Sequence, residues 1–260
     1  MKEDASEVVS IQAQQTPGRV STGIEGYDNM LNGGFFPGTV NLITGTSGAG
    51  KTLFCMNYLY SGAKDFKERG VYLTFEEGKD QILRNSKNIG LDLAAVSDLV
   101  TILDIATLRK FFDIDEELQR KDSPLHIGIL LDLIKRNCKG TKRVVVDSIV
   151  PLSMKYPNII EFRAQLFRLR EHLRNLKATT IFTTEIPISS NDISRFGIED
   201  FLADSVTVLK VDQVGRKLRI HKLRGSDHEK DFINYQITGK GIYVDYLEMM
   251  AWKKKDGRTL

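Results

Sequence analysis

A glycine-rich octapeptide, Gly45-Thr46-Ser47-Gly48-Ala49-Gly50-Lys51-Thr52, constrains this chain more than any other stretch. It matches the pattern G-x-x-x-x-G-K-[ST] without substitution. An apolar run, Val40–Thr44, precedes it and an amphipathic segment, Leu53–Ala63, follows it. The sequence therefore predicts a strand, a glycine loop and a helix in succession. Because glycine lets consecutive backbone N–H groups converge and a helix N-terminus adds partial positive charge, this arrangement predicts a polyphosphate-binding site.

The lysine and the final hydroxyl of this motif have separate predicted roles. Lys51 is predicted to reach the outer phosphates of a nucleotide, and the Thr52 hydroxyl is predicted to ligate a Mg²⁺ ion. The loop backbone and the first helical turn supply the other contacts. The predicted nucleotide-binding residues of this stretch are Thr46, Ser47, Gly48, Ala49, Gly50, Lys51, Thr52 and Leu53.

Composition and charge limit the kinds of protein to which this chain can belong. The chain is 41% hydrophobic, enough for a sizeable core, and it has only two cysteines, which suits a reducing cytoplasm. Its apolar runs are strand-sized, so we expect no membrane span and no membrane partner. The net charge of +3 equals that of the last ten residues, which leaves the body of the chain neutral in sum. DNA-binding proteins usually carry a basic field over the body, so nucleic acid is not favoured as a partner.

The chain divides into three predicted regions. Residues 1–18 are rich in acidic, serine, glutamine and alanine residues and are predicted to be a flexible leader. Residues 19–247 carry the apolar runs and glycine turns of a folded nucleotide-binding domain. Residues 248–260 are predicted to be a basic C-terminal tail.

Strand-like and helix-like segments alternate after the glycine loop. The predicted strands are Val71–Phe75, Leu99–Ile105, Lys142–Ser148, Thr179–Thr184, Ser205–Val211 and Lys217–Leu223. The predicted helices are Lys79–Asn88, Leu125–Asn137 and a segment that includes residues 162–176. The charged stretch 106–124 predicts a surface excursion. This order predicts an α/β fold with a mostly parallel sheet, helices on both faces and an antiparallel C-terminal extension.

The predicted helix around residues 162–176 has two distinct faces. One face is apolar at helical spacing and is predicted to pack on the sheet. Its residues are Phe162, Leu166, Leu169, Leu173 and Leu176. The other face is predicted to be solvated. Its residues are Arg163, Arg168, Arg170 and Arg174.

In a mostly parallel sheet, ligands bind at the carboxyl ends of the strands. That rule brings the glycine loop, Glu76-Glu77, Asp147-Ser148 and Thr184-Glu185 to one rim. Asp147 follows three valines, so its carboxylate emerges from a buried strand, where a nearby cation removes the cost of an unpaired charge. Asp147 and Thr52 are therefore the predicted metal ligands. An aspartate that only caps a turn is the alternative interpretation.

Glu76 and Glu77 are the candidates for the base that activates the attacking water. Successive strand side chains point to opposite faces, so only one of the two is expected to face the phosphate unless the strand has already ended. The other glutamate would be structural or would orient its neighbour. The alternative is a pair of solvated charges at a strand end.

Phosphoryl transfer also needs a cation beyond Lys51. Lys222 and Arg224 flank Leu223 at the end of a predicted strand, so both project to one side. One interpretation is an arginine finger supplied by a neighbouring chain, and the other is a solvated strand end. The four histidines show no metal-ligand spacing.

The order of these motifs closely resembles the KaiC family, within the RecA and RadA class of ATPases. The matching stretches are GTSGAGKT, TFEE, VVVDS, TTE, RFGIEDFLADSV and KLRGSDH, and they cover residues 19–247. The resemblance implies a RecA-like core that assembles into a homo-oligomeric ring, expected to be a hexamer, with ATP between subunits. It also implies that Glu76 and Glu77 are paired catalytic glutamates. The residues implied to reach ATP on the adjacent subunit are Lys222, Arg224 and His228.

The chain also departs from the family pattern. The cyanobacterial clock protein carries two such domains in tandem, and this chain carries one. Its self-phosphorylated Ser-Thr pair lies in the second domain. The corresponding positions here are Asp200 and Phe201, so self-kinase activity is not implied.

The expected function is therefore slow hydrolysis of ATP with Mg²⁺, which switches the conformation of the ring or its binding to a protein partner. One alternative is a DNA-dependent motor of the RecA type. Its channel loops, at 151–158 and 186–196, would offer only two basic residues, and single-stranded DNA usually requires several cations with aromatic stacking. The other alternative is a nucleotide-sensing scaffold with negligible hydrolysis, which docks a partner through its C-terminal tail.

Overall fold

The structure is a computed structural model that describes residues 18–105, 125–153, 156–187 and 192–255. The predicted leader up to residue 17, the predicted excursion at 106–124 and the last five residues of the predicted tail lie outside the described residues. All the rim residues named above lie within them. The described residues are organised around one sheet.

Nine strands form this sheet in the described part of the chain. They are β1 (Val40–Gly45), β2 (Gly70–Thr74), β3 (Val100–Asp104), β4 (Arg143–Asp147), β5 (Thr179–Glu185), β6 (Ser205–Val211), β7 (Arg216–Leu223), β8 (Ile233–Thr238) and β9 (Gly241–Val244). Their spatial order is β3-β2-β4-β5-β1-β6-β7-β8-β9. The first six in that order pair in parallel, and the last three continue the sheet by antiparallel pairing. The predicted parallel sheet with an antiparallel C-terminal extension is confirmed.

Helices occupy both sides of the sheet. They are α1 (Tyr27–Met30), α2 (Lys51–Phe66), α3 (Lys79–Asn88), α4 (Leu125–Asn137), α5 (Val150–Ser153), α6 (Ile159–Asn175), α7 (Glu199–Leu202) and α8 (Tyr246–Lys255), with a 3₁₀ helix at Leu93–Val96. Among the residues that the structure describes, no helix has both the length and the apolarity needed to cross a bilayer.

The strand side chains alternate between two hydrophobic cores. In β4, Val144 and Val146 pack into the core beneath α4 and α6. Val145 packs into the opposite core, beneath α2. This alternation follows from the two-residue period of a strand. Because both faces are buried, the central strands are continuous apolar runs, which explains why the sequence pattern was sufficient to predict them.

Helix α6 confirms its predicted apolar face, since four of the five predicted apolar positions are fully buried and the fifth packs against the same core. The prediction for Arg170 is wrong, because this side chain is buried. Its guanidinium donates to the Glu171 carboxylate at 3.0 Å and lies 3.6 Å from the Asp204 carboxylate. The physical reason is position: Arg170 directly follows the buried Leu169, so it lies at the edge of the packed face and can reach the sheet.

Strand β8 and helix α8 were not predicted from the sequence. In β8, the buried Ile233 and Tyr235 alternate with the exposed Asn234 and Gln236, a two-residue pattern typical of a half-buried strand. Helix α8 spans Tyr246–Lys255, so the predicted tail boundary at residue 248 falls inside a helix.

A buried ion pair beneath α2 gives the first testable prediction. Arg143 is fully buried, and its Nε donates to Glu68 Oε2 at 2.6 Å. Its guanidinium also lies 4.6 Å from the Tyr58 ring centre. Replacing Glu68 with alanine would leave this cation buried without a counter-charge, so we expect the free energy of unfolding to fall by about 3 kcal/mol. Urea denaturation measures the loss.

The exposed Asp98 provides the matched control, because Asp98→Ala removes one carboxylate that faces solvent. A loss below about 1 kcal/mol for Glu68→Ala, the range of an exposed pair, would show that Glu68 does not neutralise Arg143.

Candidate functional site

The carboxyl ends of β1, β2, β4 and β5 bring the predicted rim together. Gly45 at the end of β1 pairs with Glu185 of β5. At the end of β2, Thr74 pairs with Asp147 of β4. The sheet register therefore assembles residues that are distant in sequence at one edge, as the parallel-sheet rule predicts.

The glycine loop joins β1 to α2 as predicted. Gly48 and Gly50 adopt φ angles of 75° and 86°, which glycine accepts without strain. Gly50 directly precedes Lys51, the first residue of α2, and has no side chain that could occupy the N–H groups of the first turn. Ser47 and Gly48 are exposed, whereas Ala49 and Leu53 are buried. The loop therefore presents backbone and an open surface at the N-terminus of a long helix, the arrangement that binds phosphate groups.

Two polar side chains of the loop support an anionic ligand. The Thr46 hydroxyl is buried and has no hydrogen-bond partner among the described residues. The Lys51 ammonium is also buried, and it donates to the carbonyl oxygens of Gly45 and Thr46, each at 3.1 Å. It lies 3.5 Å from the Glu185 carboxylate. A buried donor without a partner and a shielded cation at a helix N-terminus fit a phosphate.

Asp147 is the centre of a hydroxyl network at the tip of β4. Its Oδ2 accepts hydrogen bonds from Thr52 at 2.8 Å and from Tyr72 at 2.5 Å. Its Oδ1 accepts from Thr183 at 2.5 Å. Burial and the nearby Asp147 charge raise the pKa of Tyr72 well above its usual value, so this phenol remains a donor. Three donors therefore hold the carboxylate in one orientation.

The metal prediction rests on Thr52 and Asp147, which the structure brings into direct contact. A hydroxyl and a carboxylate are the oxygen ligands that Mg²⁺ uses when a phosphate and water complete its shell. The described residues contain no group of three or more His, Cys, Asp or Glu side chains that could hold a metal alone. The side chains present therefore fit a nucleotide-bound Mg²⁺ rather than an all-protein metal site.

Both glutamates lie beyond the end of β2, because that strand stops at Thr74. Side chains of successive residues point to opposite faces only within a strand, so this expectation does not apply to Glu76 and Glu77. Glu76 is exposed and accepts from the Ser148 hydroxyl at 2.8 Å. Glu77 is half-buried and accepts from Asn85 at 3.2 Å.

The environment of Glu77 favours its protonated form. Burial, the Asp147 charge and the Glu76 charge raise the pKa of Glu77, and the Asn85 hydrogen bond opposes them. A carboxylate with a raised pKa accepts a proton more readily near neutral pH.

Lys222 lies near the C-terminal end of β7, and Arg224 follows that strand directly. In the sheet, β6 lies between β7 and β1. The Lys222 ammonium donates to the carbonyls of Asp200 and Ala203 at 2.8 and 2.9 Å. Burial and the neighbouring Arg224 charge lower its pKa. The Arg224 guanidinium lies 3.5 Å from the Asp204 carboxylate and is half exposed. Both cations therefore contact the segment around α7.

His228 lies in the connection between β7 and β8. Its Nδ1 atom is buried and has no hydrogen-bond partner among the described residues. The structure thus separates the predicted residues into two groups. One group surrounds the glycine loop and Asp147, and the other is carried by β7 and the residues that follow it.

Comparisons with known proteins agree with this arrangement. A family model described as "ATPase: KaiC" matches residues 20–248. The circadian clock oscillator protein KaiC of Parathermosynechococcus lividus is 35% identical over 265 residues, which cover 98% of this chain and 46% of that protein. The protein of the same name from Synechococcus elongatus is 35% identical over 253 residues, covering 94% and 47%. This chain belongs to the KaiC family.

A solved structure supports the same assignment for the fold. The crystal structure of a KaiC-like protein from the archaeon Pyrococcus horikoshii OT3 matches with a TM-score of 0.74 and 31% identity. The match covers 87% of this chain and 98% of the other. This chain spans about half the length of the curated KaiC relatives it matches. The fold is therefore a RecA-like KaiC ATPase domain with antiparallel C-terminal strands.

Sequence reasoning missed three side chains of this KaiC-family site. Tyr72 and Thr183 orient Asp147 from the neighbouring strands β2 and β5. Tyr235 of β8 donates to the Ala49 carbonyl of the glycine loop, and burial raises its pKa to about 12. The alternation of β8 could have indicated that Tyr235 is buried. No local pattern indicates which atoms these hydroxyls contact.

Proposed function

We propose that this KaiC-family chain hydrolyses ATP with Mg²⁺ at interfaces between identical chains in a ring, expected to be a hexamer. Nucleotide state would then change the ring or its binding to a protein partner. The observation that carries this proposal is the separation of the two groups of site residues. The glycine loop, Asp147 and the glutamates lie at one edge of the sheet, whereas Lys222 and Arg224 lie at the end of β7, a strand that does not adjoin β1.

The residues at this edge of the sheet would bind the nucleotide and orient the groups around its phosphates. The N–H groups of the glycine loop and the Lys51 ammonium would hold the phosphates, and the Thr46 hydroxyl would gain a partner. Thr52 and Asp147 would hold Mg²⁺, which supplies neutralisation of the phosphate charge when bound. Because Thr183 and Tyr72 donate to Asp147, the carboxylate is already oriented before the metal arrives.

We assign the role of general base to Glu77. Its raised pKa suits it to accept the proton of the attacking water, whereas Glu76 is held by Ser148, the residue after Asp147. We assign Glu76 the role of positioning Ser148 and the neighbouring end of β4. In this proposal Glu77 accepts the proton and Glu76 has a positioning role.

The second group of residues is suited to act on a neighbouring chain. Arg224 is half exposed and its guanidinium is held at one edge by Asp204. An exposed arginine that is already oriented resembles the fingers that stabilise charge in phosphoryl transfer. A head-to-tail interface, in which β7 of one chain meets the glycine loop of the next, generates a closed ring when its rotation closes.

Mass measurement in solution tests the proposal. We expect a several-fold larger mass in ATP with Mg²⁺ than without nucleotide, because the nucleotide would contribute to both sides of the interface. Phosphate release should accompany the large species and should stop when EDTA removes the metal. A chain that stays monomeric under every condition, yet releases phosphate at an undiminished rate, would contradict the interface site.

A further inference from the structure

Ion pairs of Lys253 with Glu229 and Asp231 connect helix α8 to the segment between β7 and β8, and we call them the Lys253 clamp. We call this segment, residues 224–232, the finger loop. The Lys253 ammonium of α8 lies 3.0 Å from Glu229 Oε2 and 2.9 Å from Asp231 Oδ2. The side chains of Lys253 and Glu229 are only 18% and 13% exposed. Solvent therefore screens this pair less than an ordinary surface ion pair.

Glu229 also shapes the finger loop itself. Its Oε1 accepts the backbone N–H groups of Lys230 and Asp231 at 2.9 and 3.0 Å. Burial raises the pKa of Glu229, but the Asp231 N–H and the Lys253 ammonium outweigh burial and leave it below its usual value. The same carboxylate thus forms the turn with one oxygen and binds α8 with the other.

The clamp joins the finger loop to a helix that is anchored elsewhere. Asp245, which precedes α8, donates its backbone N–H to Asn234 of β8 at 3.0 Å, and its carbonyl accepts from Met249 at 3.1 Å. Tyr246 packs against the core beneath α2. Because these contacts fix the start of α8, Lys253 presents its ammonium to the loop from a defined position.

The residue next to Glu229 is His228, whose Nδ1 is buried without a partner among the described residues. At the other end of the loop, the Asn32 amide reaches Ser226 Oγ at 3.4 Å, which is a weak hydrogen bond. The Lys253 ammonium thus joins the centre of the finger loop to α8 through two charged contacts of 3.0 Å or less.

We propose that Lys253 is a positioning residue, which holds the finger loop so that Arg224 and His228 meet the nucleotide of the neighbouring chain. This inference rests on the proposed function and assigns α8 to the control of that site. Neither Lys253 nor Glu229 needs to touch the nucleotide. A small displacement of groups that act on a reacting phosphate is enough to lower the rate.

The test compares two substitutions on one helix. Lys253→Met removes the ammonium and keeps the aliphatic stem, whereas Lys254→Met removes the same charge from an exposed neighbouring position. Amide hydrogen exchange of residues 226–232 should become faster in Lys253→Met only. We expect its kcat to fall about tenfold with nucleotide affinity unchanged, and Lys253→Arg should restore most of the rate. Asp231→Asn should have a smaller effect than Glu229→Gln, because Asp231 is 67% exposed.

Unchanged exchange in the finger loop of Lys253→Met would overturn the inference, and so would faster exchange with undiminished kcat. Should Lys253→Met lower the thermal stability of the whole domain, Glu229→Gln and Lys253→Arg supply the same comparison. The result for Arg224→Ala separates this inference from the proposed function. Full activity in Arg224→Ala contradicts the proposed function, whereas an inactive Arg224→Ala with a fully active Lys253→Met contradicts only the role of Lys253.

Discussion

Arg224→Ala is expected to lower the turnover of ATP by about 10³-fold or more, the range of a lost arginine finger. The substitution should leave the chain folded, because Arg224 is half exposed and a surface pair with Asp204 contributes at most about 1 kcal/mol. Nucleotide affinity should change little, since the glycine loop of the same chain is untouched. Phosphate release under saturating ATP measures the loss, and Arg216→Ala, at the exposed start of the preceding strand β7, is the matched control.

A mixing experiment distinguishes action on a neighbour from action within one chain. Lys51→Ala chains lack a working phosphate loop but keep Arg224, and Arg224→Ala chains have the reverse defect. If the arginine acts on the adjacent chain, equal mixing should regenerate intact interfaces at about a quarter of the positions in a head-to-tail ring. Partial recovery of turnover is the expected result. Two inactive variants that stay inactive after confirmed exchange of subunits would rule out action across an interface.

Glu77→Gln is expected to lower kcat by about 10²- to 10⁴-fold, the contribution of a general base. The amide cannot accept the proton of the attacking water but preserves the size and the contact with Asn85. Wild-type turnover should also depend on pH, because only the ionised carboxylate acts as a base. Since burial, Asp147 and Glu76 raise the pKa of Glu77, activity should be lost as pH falls through a value above the usual glutamate range.

Glu76→Gln provides the comparison for this pH profile. Removing the Glu76 charge takes away one of the groups that raise the pKa of Glu77, so the acid limb should move to lower pH and remain visible. In Glu77→Gln the limb should disappear with the activity. A profile in which Glu76→Gln abolishes the limb and Glu77→Gln keeps it would exchange the two assignments.

Much of the architecture could be predicted because its signals are local. The glycine loop encodes its own conformation, and the buried parallel strands are apolar runs with acids at their ends, so the rim followed from the rule for parallel sheets. The hairpin strand β8 and the helix α8 were not predicted. The alternation in β8 covers only four residues, and α8 mixes apolar with charged residues, so neither segment gives a strong periodic pattern.

Arg170 shows the limit of such patterns. Its place among the arginines of α6 predicted a solvent-exposed side chain. In the fold, the Asp204 carboxylate lies 3.6 Å from its guanidinium. A helical repeat describes the angle of a side chain around its own axis, and it contains no information on which charge another element brings nearby.

Residues adjacent in the chain and simple periods were enough to predict the glycine loop, the placement of Thr52 and Asp147 at one rim, and the α/β class. The packing of the folded chain sets which hydroxyls orient Asp147, how the two glutamates differ in burial, and that Lys253 binds the finger loop. These features depend on groups between 22 and 95 residues apart, for Lys253 and Asp231 or Thr52 and Asp147. Contacts at such separations arise from the packing of whole elements, which no local pattern encodes.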